Sequence, residues 1–99
     1  MAIHIVTQRK GGTTADVTAA ASRLKAAVMR HGAEDFRLSL EVAGPNAGQW
    51  VLVIRFSDWE SFGRSMATAM GDPDNRAILA DLEKISETIS RRLVSEVEI

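Results

Sequence analysis

The chain has 99 residues, a net charge of −1 and no cysteine, with 45% hydrophobic and 25% charged residues. That is the length of one domain around one core, and the balance is that of a soluble globular protein. The missing cysteines exclude a disulfide framework, a thiolate metal site, an iron–sulfur cluster and a cysteine nucleophile, and the even charge excludes a strong electrostatic grip on nucleic acid or an anionic membrane.

Ile3 to Gln8 is short, apolar and β-branched, which predicts a first strand. Arg9-Lys10-Gly11-Gly12 follows and reads as a basic, flexible connection. Thr13 opens a helix, with Asp16 three residues on in an Asp variant of the capping box. Val17, Ala20, Ala21, Leu24 and Val28 fall on one face of that helix. Gly32, after His31, is its expected C-terminal cap.

Phe36, Leu38, Leu40 and Val42 alternate with Arg37, Ser39 and Glu41, which predicts a half-buried strand of period two. Gly44-Pro45-Asn46-Ala47-Gly48 reads as a five-residue hairpin loop. Trp50 to Phe56 is the next strand, and its continuous apolarity predicts a central position. Ser57-Asp58-Trp59-Glu60 reads as a capping box with Ser57 as cap. The helix it opens carries Trp59, Phe62, Met66 and Met70 on one face. Gly71-Asp72-Pro73 ends it, Asp74 is the expected cap of another segment, and Ile78, Leu82, Ile85 and Ile89 continue at helical spacing. Arg92 to Ile99 reads as the last strand, with Leu93, Val97 and Ile99 on one face.

The order is β-α-β-β-α-(α)-β, the split βαβ or ferredoxin-like α+β pattern in a single domain. Its right-handed crossovers put the helices on one face of a four-stranded antiparallel sheet. A symmetric hairpin sets Val42 opposite Trp50, Leu40 opposite Leu52, Leu38 opposite Ile54 and Phe36 opposite Phe56, all under the helices. The open face then receives Arg37, Ser39, Glu41, Val51, Val53 and Arg55, joined by His4, Val6 and Gln8 and by Arg92, Val94, Glu96 and Glu98. Arg37 and Arg55 stand near each other there and call for a carboxylate between them, from Glu41, Glu96 or Glu98. Valines among balanced charges suit pairing with a second copy, so a homodimer through this face is the expected assembly.

The whole chain resembles the dimeric α/β-barrel superfamily of small ferredoxin-like proteins, and within it the small bacterial NIPSNAP-like proteins. The resemblance is carried by Gly44-Pro45-Asn46-Ala47-Gly48, the apolar strand Trp50 to Phe56, then Ser57-Asp58-Trp59-Glu60-Ser61-Phe62-Gly63, and Asp72-Pro73. It implies two sheets meeting as a barrel with helices outside, and a small-molecule cavity between each sheet and its helices. Members include cofactor-independent monooxygenases of antibiotic biosynthesis, haem-degrading monooxygenases, dye peroxidases, muconolactone isomerases and proteins of no known activity. The haem-degrading branch uses an Asn on the first strand and a His on the second helix, and this chain has neither.

Trp50, Trp59, Phe56, Phe62 and Met66 are the candidate walls of a pocket for a flat apolar ligand, and the same spacings also make ordinary core. His4 is a candidate general base or an interface histidine paired with Glu41 or Glu98. Arg55 and Arg37 are candidate partners of an anionic group or members of an interface ion-pair network. His31 complements the dipole at its helix end. The two histidines stand far apart in sequence with no ligand spacing, so no metal and no cofactor is expected. The open face carries no aromatic to stack a base, which argues against RNA recognition. No apolar run approaches the roughly 18 residues of a membrane span, and the N-terminus lacks a signal pattern, so a cytoplasmic location is expected. Two functions remain: a non-catalytic dimer that binds a small apolar or aromatic ligand, and a cofactor-independent monooxygenase or isomerase on a small aromatic substrate, with His4 or Arg55 as its polar group.

Overall fold

The computed structural model describes residues 1–99. The elements follow as β1 (Ile3–Lys10), α1 (Thr14–Arg30), β2 (Asp35–Leu40), β3 (Trp50–Phe56), α2 (Trp59–Met70), α3 (Pro73–Ile85) and β4 (Glu87–Ser95). The strands form one antiparallel sheet in the order β2-β3-β1-β4. This is the ferredoxin-like α+β fold, with the expected apolar strand β3 inside the sheet. No helix is long and apolar enough to cross a membrane.

Alternation along each strand builds the core. Ile3 and Ile5 of β1, Phe36 of β2, and Trp50, Leu52 and Phe56 of β3 are buried beneath the helices. They meet Val17, Ala20, Ala21, Leu24, Ala27 and Val28 of α1 and Ile78 and Leu82 of α3 in one cluster. α1 starts where expected, because the Thr13 hydroxyl accepts from the Asp16 backbone N–H at 3.1 Å. It stops at His31, followed by Gly32 with φ +101°, the left-handed conformation that glycine adopts without penalty.

Several boundaries differ from the sequence expectation. The hairpin register is shifted by two residues: Leu40 faces Trp50, Leu38 faces Leu52 and Phe36 faces Ile54. An even shift leaves every side chain on its expected face, but Val42 falls outside the strand and is exposed. Glu41 closes the hairpin instead, its backbone bonded to Gln49 and Gly48. The cap of α2 is Asp58 rather than Ser57, with the carboxylate accepting from the Ser61 N–H at 2.7 Å. A carboxylate at a helix N-terminus also complements the dipole, an advantage the Ser57 hydroxyl lacks. Glu60, freed from a capping box, pairs with Arg64 one turn on. The cap of α3 is Asp72 rather than Asp74, because Pro73 takes the first helical position.

The largest differences lie at the ends of the sheet. β1 runs through Arg9 to Lys10, so Arg9 belongs to a strand and is buried, not part of a flexible connection. β4 begins at Glu87, five residues before the expected Arg92, and Ile89 sits on it rather than on a helix. Val97 and Ile99 lie beyond the strand and are exposed. The β1–β4 register breaks between Gln8 and Arg9, a bulge that accommodates the extra residue of β4.

Asp72 ties the end of α1 to the start of α3. One carboxylate oxygen accepts from the Asp74 N–H at 2.9 Å, and the other stands 2.7 Å from His31 Nε2 and 3.2 Å from the Arg30 guanidinium. The His31 hydrogen bond, with the Asp74 amide and Arg30 adding to it against partial burial, holds the Asp72 carboxyl below the ordinary value of 3.8. A depressed carboxyl stabilises the fold above its unfolded value and loses that contribution as pH falls through its folded value. Asp72→Asn is therefore expected to be less stable than the parent at pH 6, with the gap in urea midpoint closing as pH is taken below 3.8. A gap that persists unchanged into strong acid would show that the ionised carboxylate is not what matters.

Candidate functional site

The open face of the sheet carries a charged cleft of about 390 Å³, lined by His4, Asp35, Arg37, Val53, Arg55 and Glu96. His4 of β1 is the register partner of Arg55 on β3, which in turn faces Asp35 on β2. Arg55 donates to Glu34 at 3.0 Å and to Glu96 at 3.2 Å. The Glu96 bond, with the charge of Glu34, raises the Arg55 guanidinium above its ordinary range. His4 Nε2 lies 3.6 Å from Glu96. Arg37 donates to Asp35 at 2.8 Å, and that bond holds the Asp35 carboxyl below its usual range.

The carboxylates that separate Arg37 from Arg55 are thus Asp35, Glu34 and Glu96. Glu41 takes no part. It sits in the hairpin beyond β2, with one carboxylate oxygen buried and unpartnered. The partner of His4 is Glu96, not Glu41 or Glu98. Ser39, Val51 and Val53 occupy the open face beside this network. With each arginine matched to an acid and one apolar wall, the cleft is built for charge pairing rather than for an apolar ligand.

The opposite face holds the apolar candidate. A cleft of about 340 Å³ opens between the sheet and α2, lined by Ile5, Phe62, Arg91, Arg92 and Leu93. Phe62 leans edge-on against Phe56, with centroids 5.4 Å apart at 83°, and Trp59 meets Phe62 at 5.8 Å and 89°. The three rings step from fully buried Phe56 out to Trp59, which is 58% exposed. Met66 packs partly buried against the same core.

Trp50 is not part of this group. It stands at the other end of β3, about 20 Å from Phe56 along the strand. Its indole N–H donates to the Gly11 carbonyl at 3.1 Å, which pins the loop before α1. Trp50 and Phe56 share a face but not a neighbourhood, so the expected five-residue pocket divides. Phe62 lines the cleft, Phe56 and Trp59 flank it through Phe62, and Trp50 is core. His4 and Arg55 lie on the far side of the sheet from Phe62, because their positions on β1 and β3 alternate with Ile5 and Phe56. They do not share a cavity with the aromatic residues.

Sequence reasoning passed over Arg91, placed by its register partner Thr7 on the helix side of the sheet. The misplaced start of β4 hid it. Its signal was the doublet Arg91-Arg92 beside an apolar Leu93. No three His, Asp or Glu side chains gather closely enough to hold a metal ion.

No protein-family model matches the sequence, and no curated protein matches it either. Solved structures do. SnoaB, a cofactor-independent oxygenase from Streptomyces nogalater, superposes with a TM-score of 0.71 at 18% identity, over 99% of this chain and 95% of that one, and a point mutant of it gives 0.78. A Bordetella bronchiseptica protein that carries the name of the antibiotic biosynthesis monooxygenases gives 0.72 at 13% identity, over 98% of both chains. A nipsnap family protein of unknown function from Agrobacterium tumefaciens gives 0.69 at 11% identity, over 94% of this chain and 86% of that one.

Proposed function

We propose that the chain forms a homodimeric α/β barrel that binds a small apolar or aromatic molecule between its sheet and α2. The observation that carries this reading is the cleft floored by Ile5, Phe62 and Leu93. Its volume, about 340 Å³, lies within the range of small-molecule sites. Leu93 is 54% exposed there, an apolar surface that a ligand would take out of water. The dimer is supported by the uncovered face of the sheet, where Val94 is 41% exposed beside the ion-pair network.

The likeness to SnoaB favours a second reading, cofactor-independent oxygenation or isomerisation of a small aromatic substrate. Such chemistry asks for a dry cavity and one polar group. On this chain the polar group beside Phe62 is Arg91, since His4 and Arg55 are across the sheet.

The test joins assembly and binding. Sedimentation at micromolar concentration is expected to give a dimer, and a monomer would overturn the assembly. In calorimetry, 2-naphthamide is expected to bind the parent chain, and Phe62→Ala to weaken binding by about tenfold, the worth of one aromatic contact. Equal affinity in parent and variant would remove the ligand from this cleft. Air-dependent turnover of a naphthol by the parent, lost in Phe62→Ala, is the result that would select the second reading.

A further inference from the structure

The chain has nine arginines. Arg9, Arg23, Arg30, Arg37, Arg55 and Arg64 each hold an acidic partner. Arg76, Arg91 and Arg92 have neither an ion pair nor a side-chain hydrogen bond. Two of these three are consecutive on β4: Arg91, opposite Thr7, faces the helix side and borders the cleft floored by Ile5, Phe62 and Leu93, whereas the Arg92 side chain, opposite Val6, turns to the open face. Acids outnumber bases in the sequence by one, and they reach the charged cleft on the open face, yet none lines this one.

A cation without a counter-ion beside an apolar surface is a ready partner for an anionic ligand group. Guanidinium groups recognise carboxylates through paired N–H donors. Here the Arg91 guanidinium borders an apolar floor, where a charged hydrogen bond is screened less than in open water. The ring of Phe62, held edge-on by Phe56 and Trp59, presents a rigid surface to a flat ligand.

The geometry points to an aromatic carboxylate as the ligand of this cleft, its ring against Phe62 and Leu93 and its carboxylate on Arg91. This rests on the proposed ligand cleft and specifies the charge of its occupant. Arg91 is the specificity-determining residue.

The experiment compares 2-naphthoate with 2-naphthamide, which share a ring system and differ in charge. The parent chain is expected to bind the acid about tenfold more tightly, with the preference shrinking as salt rises from 50 to 500 mM, about as ionic screening requires. Arg91→Gln is expected to abolish the preference, weakening the acid far more than the amide. Arg76→Gln, which removes an unpaired arginine from outside the cleft, is expected to keep it. Equal binding of acid and amide by the parent overturns the charge assignment and leaves the cleft standing. Binding of neither overturns both. A preference that survives Arg91→Gln moves the anion to another site and overturns the role of Arg91.

Discussion

Gly12→Ala is expected to destabilise the protein by about 2–4 kcal/mol, enough to remove a large part of the stability of a domain this size. Gly12 adopts φ +83°, and a Cβ there would lie 2.6 Å from the Ile85 carbonyl oxygen and 2.8 Å from Val17 Cγ2. Neither neighbour can yield cheaply. The Ile85 oxygen is backbone at the end of α3, and Val17 is fully buried in the core. Gly11 supplies the control. It has φ +91° but nothing within 4 Å of its would-be Cβ. Gly11→Ala therefore carries only the left-handed penalty, about 1–2 kcal/mol. Urea midpoints of the two variants separate conformation from collision. Equal midpoints would mean that the loop moves aside and the close approach is not a constraint.

Arg9→Ala is expected to cost about 3 kcal/mol, through buried acceptors left without a donor. The Arg9 guanidinium donates to the Ser86 hydroxyl at 2.7 Å, the Thr88 hydroxyl at 2.6 Å, the carbonyls of Leu82 and Ser86 at 3.1 and 3.0 Å, and Glu83 at 3.1 Å. These bonds cap the C-terminus of α3 and hold the turn into β4. Arg9→Met keeps the stem and removes the donors. It is expected to lose most of what Arg9→Ala loses, and faster amide exchange at Ser86 and Thr88 would locate the damage at that turn. Retention of parental stability in Arg9→Met would assign the effect to packing of the stem.

The same end of the molecule explains where sequence reading went astray. Ile78, Leu82, Ile85 and Ile89 keep helical spacing, and a helix through Ile89 fits them all. The helix stops at Ile85 because Glu87 and Thr88 pair with Lys10 and Arg9 of β1, distant in sequence, and the Arg9 guanidinium takes the Ser86 carbonyl. Nothing local to residues 82–89 announces that partner. The choice between Ser57 and Asp58 as a cap is a different kind of miss. Both residue types cap helices, and one residue of chain geometry selects between them.

The two-residue register shift did little harm because strand faces repeat every two residues. His4, Arg37, Val53 and Arg55 were legible as one face from alternation alone, and they do line one cleft. The acids that neutralise that face were only partly legible. Glu96 was anticipated, whereas Asp35 and Glu34 enter because the shifted register and the turn before β2 bring them to Arg55 and Arg37.

By itself the sequence determined the element order, the division of each strand into a covered and an open face, and the helix faces that build the core. Those are properties of short-range periodicity, and periodicity is written in consecutive residues. The tertiary structure alone decided which aromatic residues meet. Trp50 and Phe56 have the same face in any register, but only the position of α2 across the sheet puts Phe62 with Phe56 and leaves Trp50 to hold a loop. The start of β4, set by a buried arginine from β1, likewise decided that Arg91 faces the cleft.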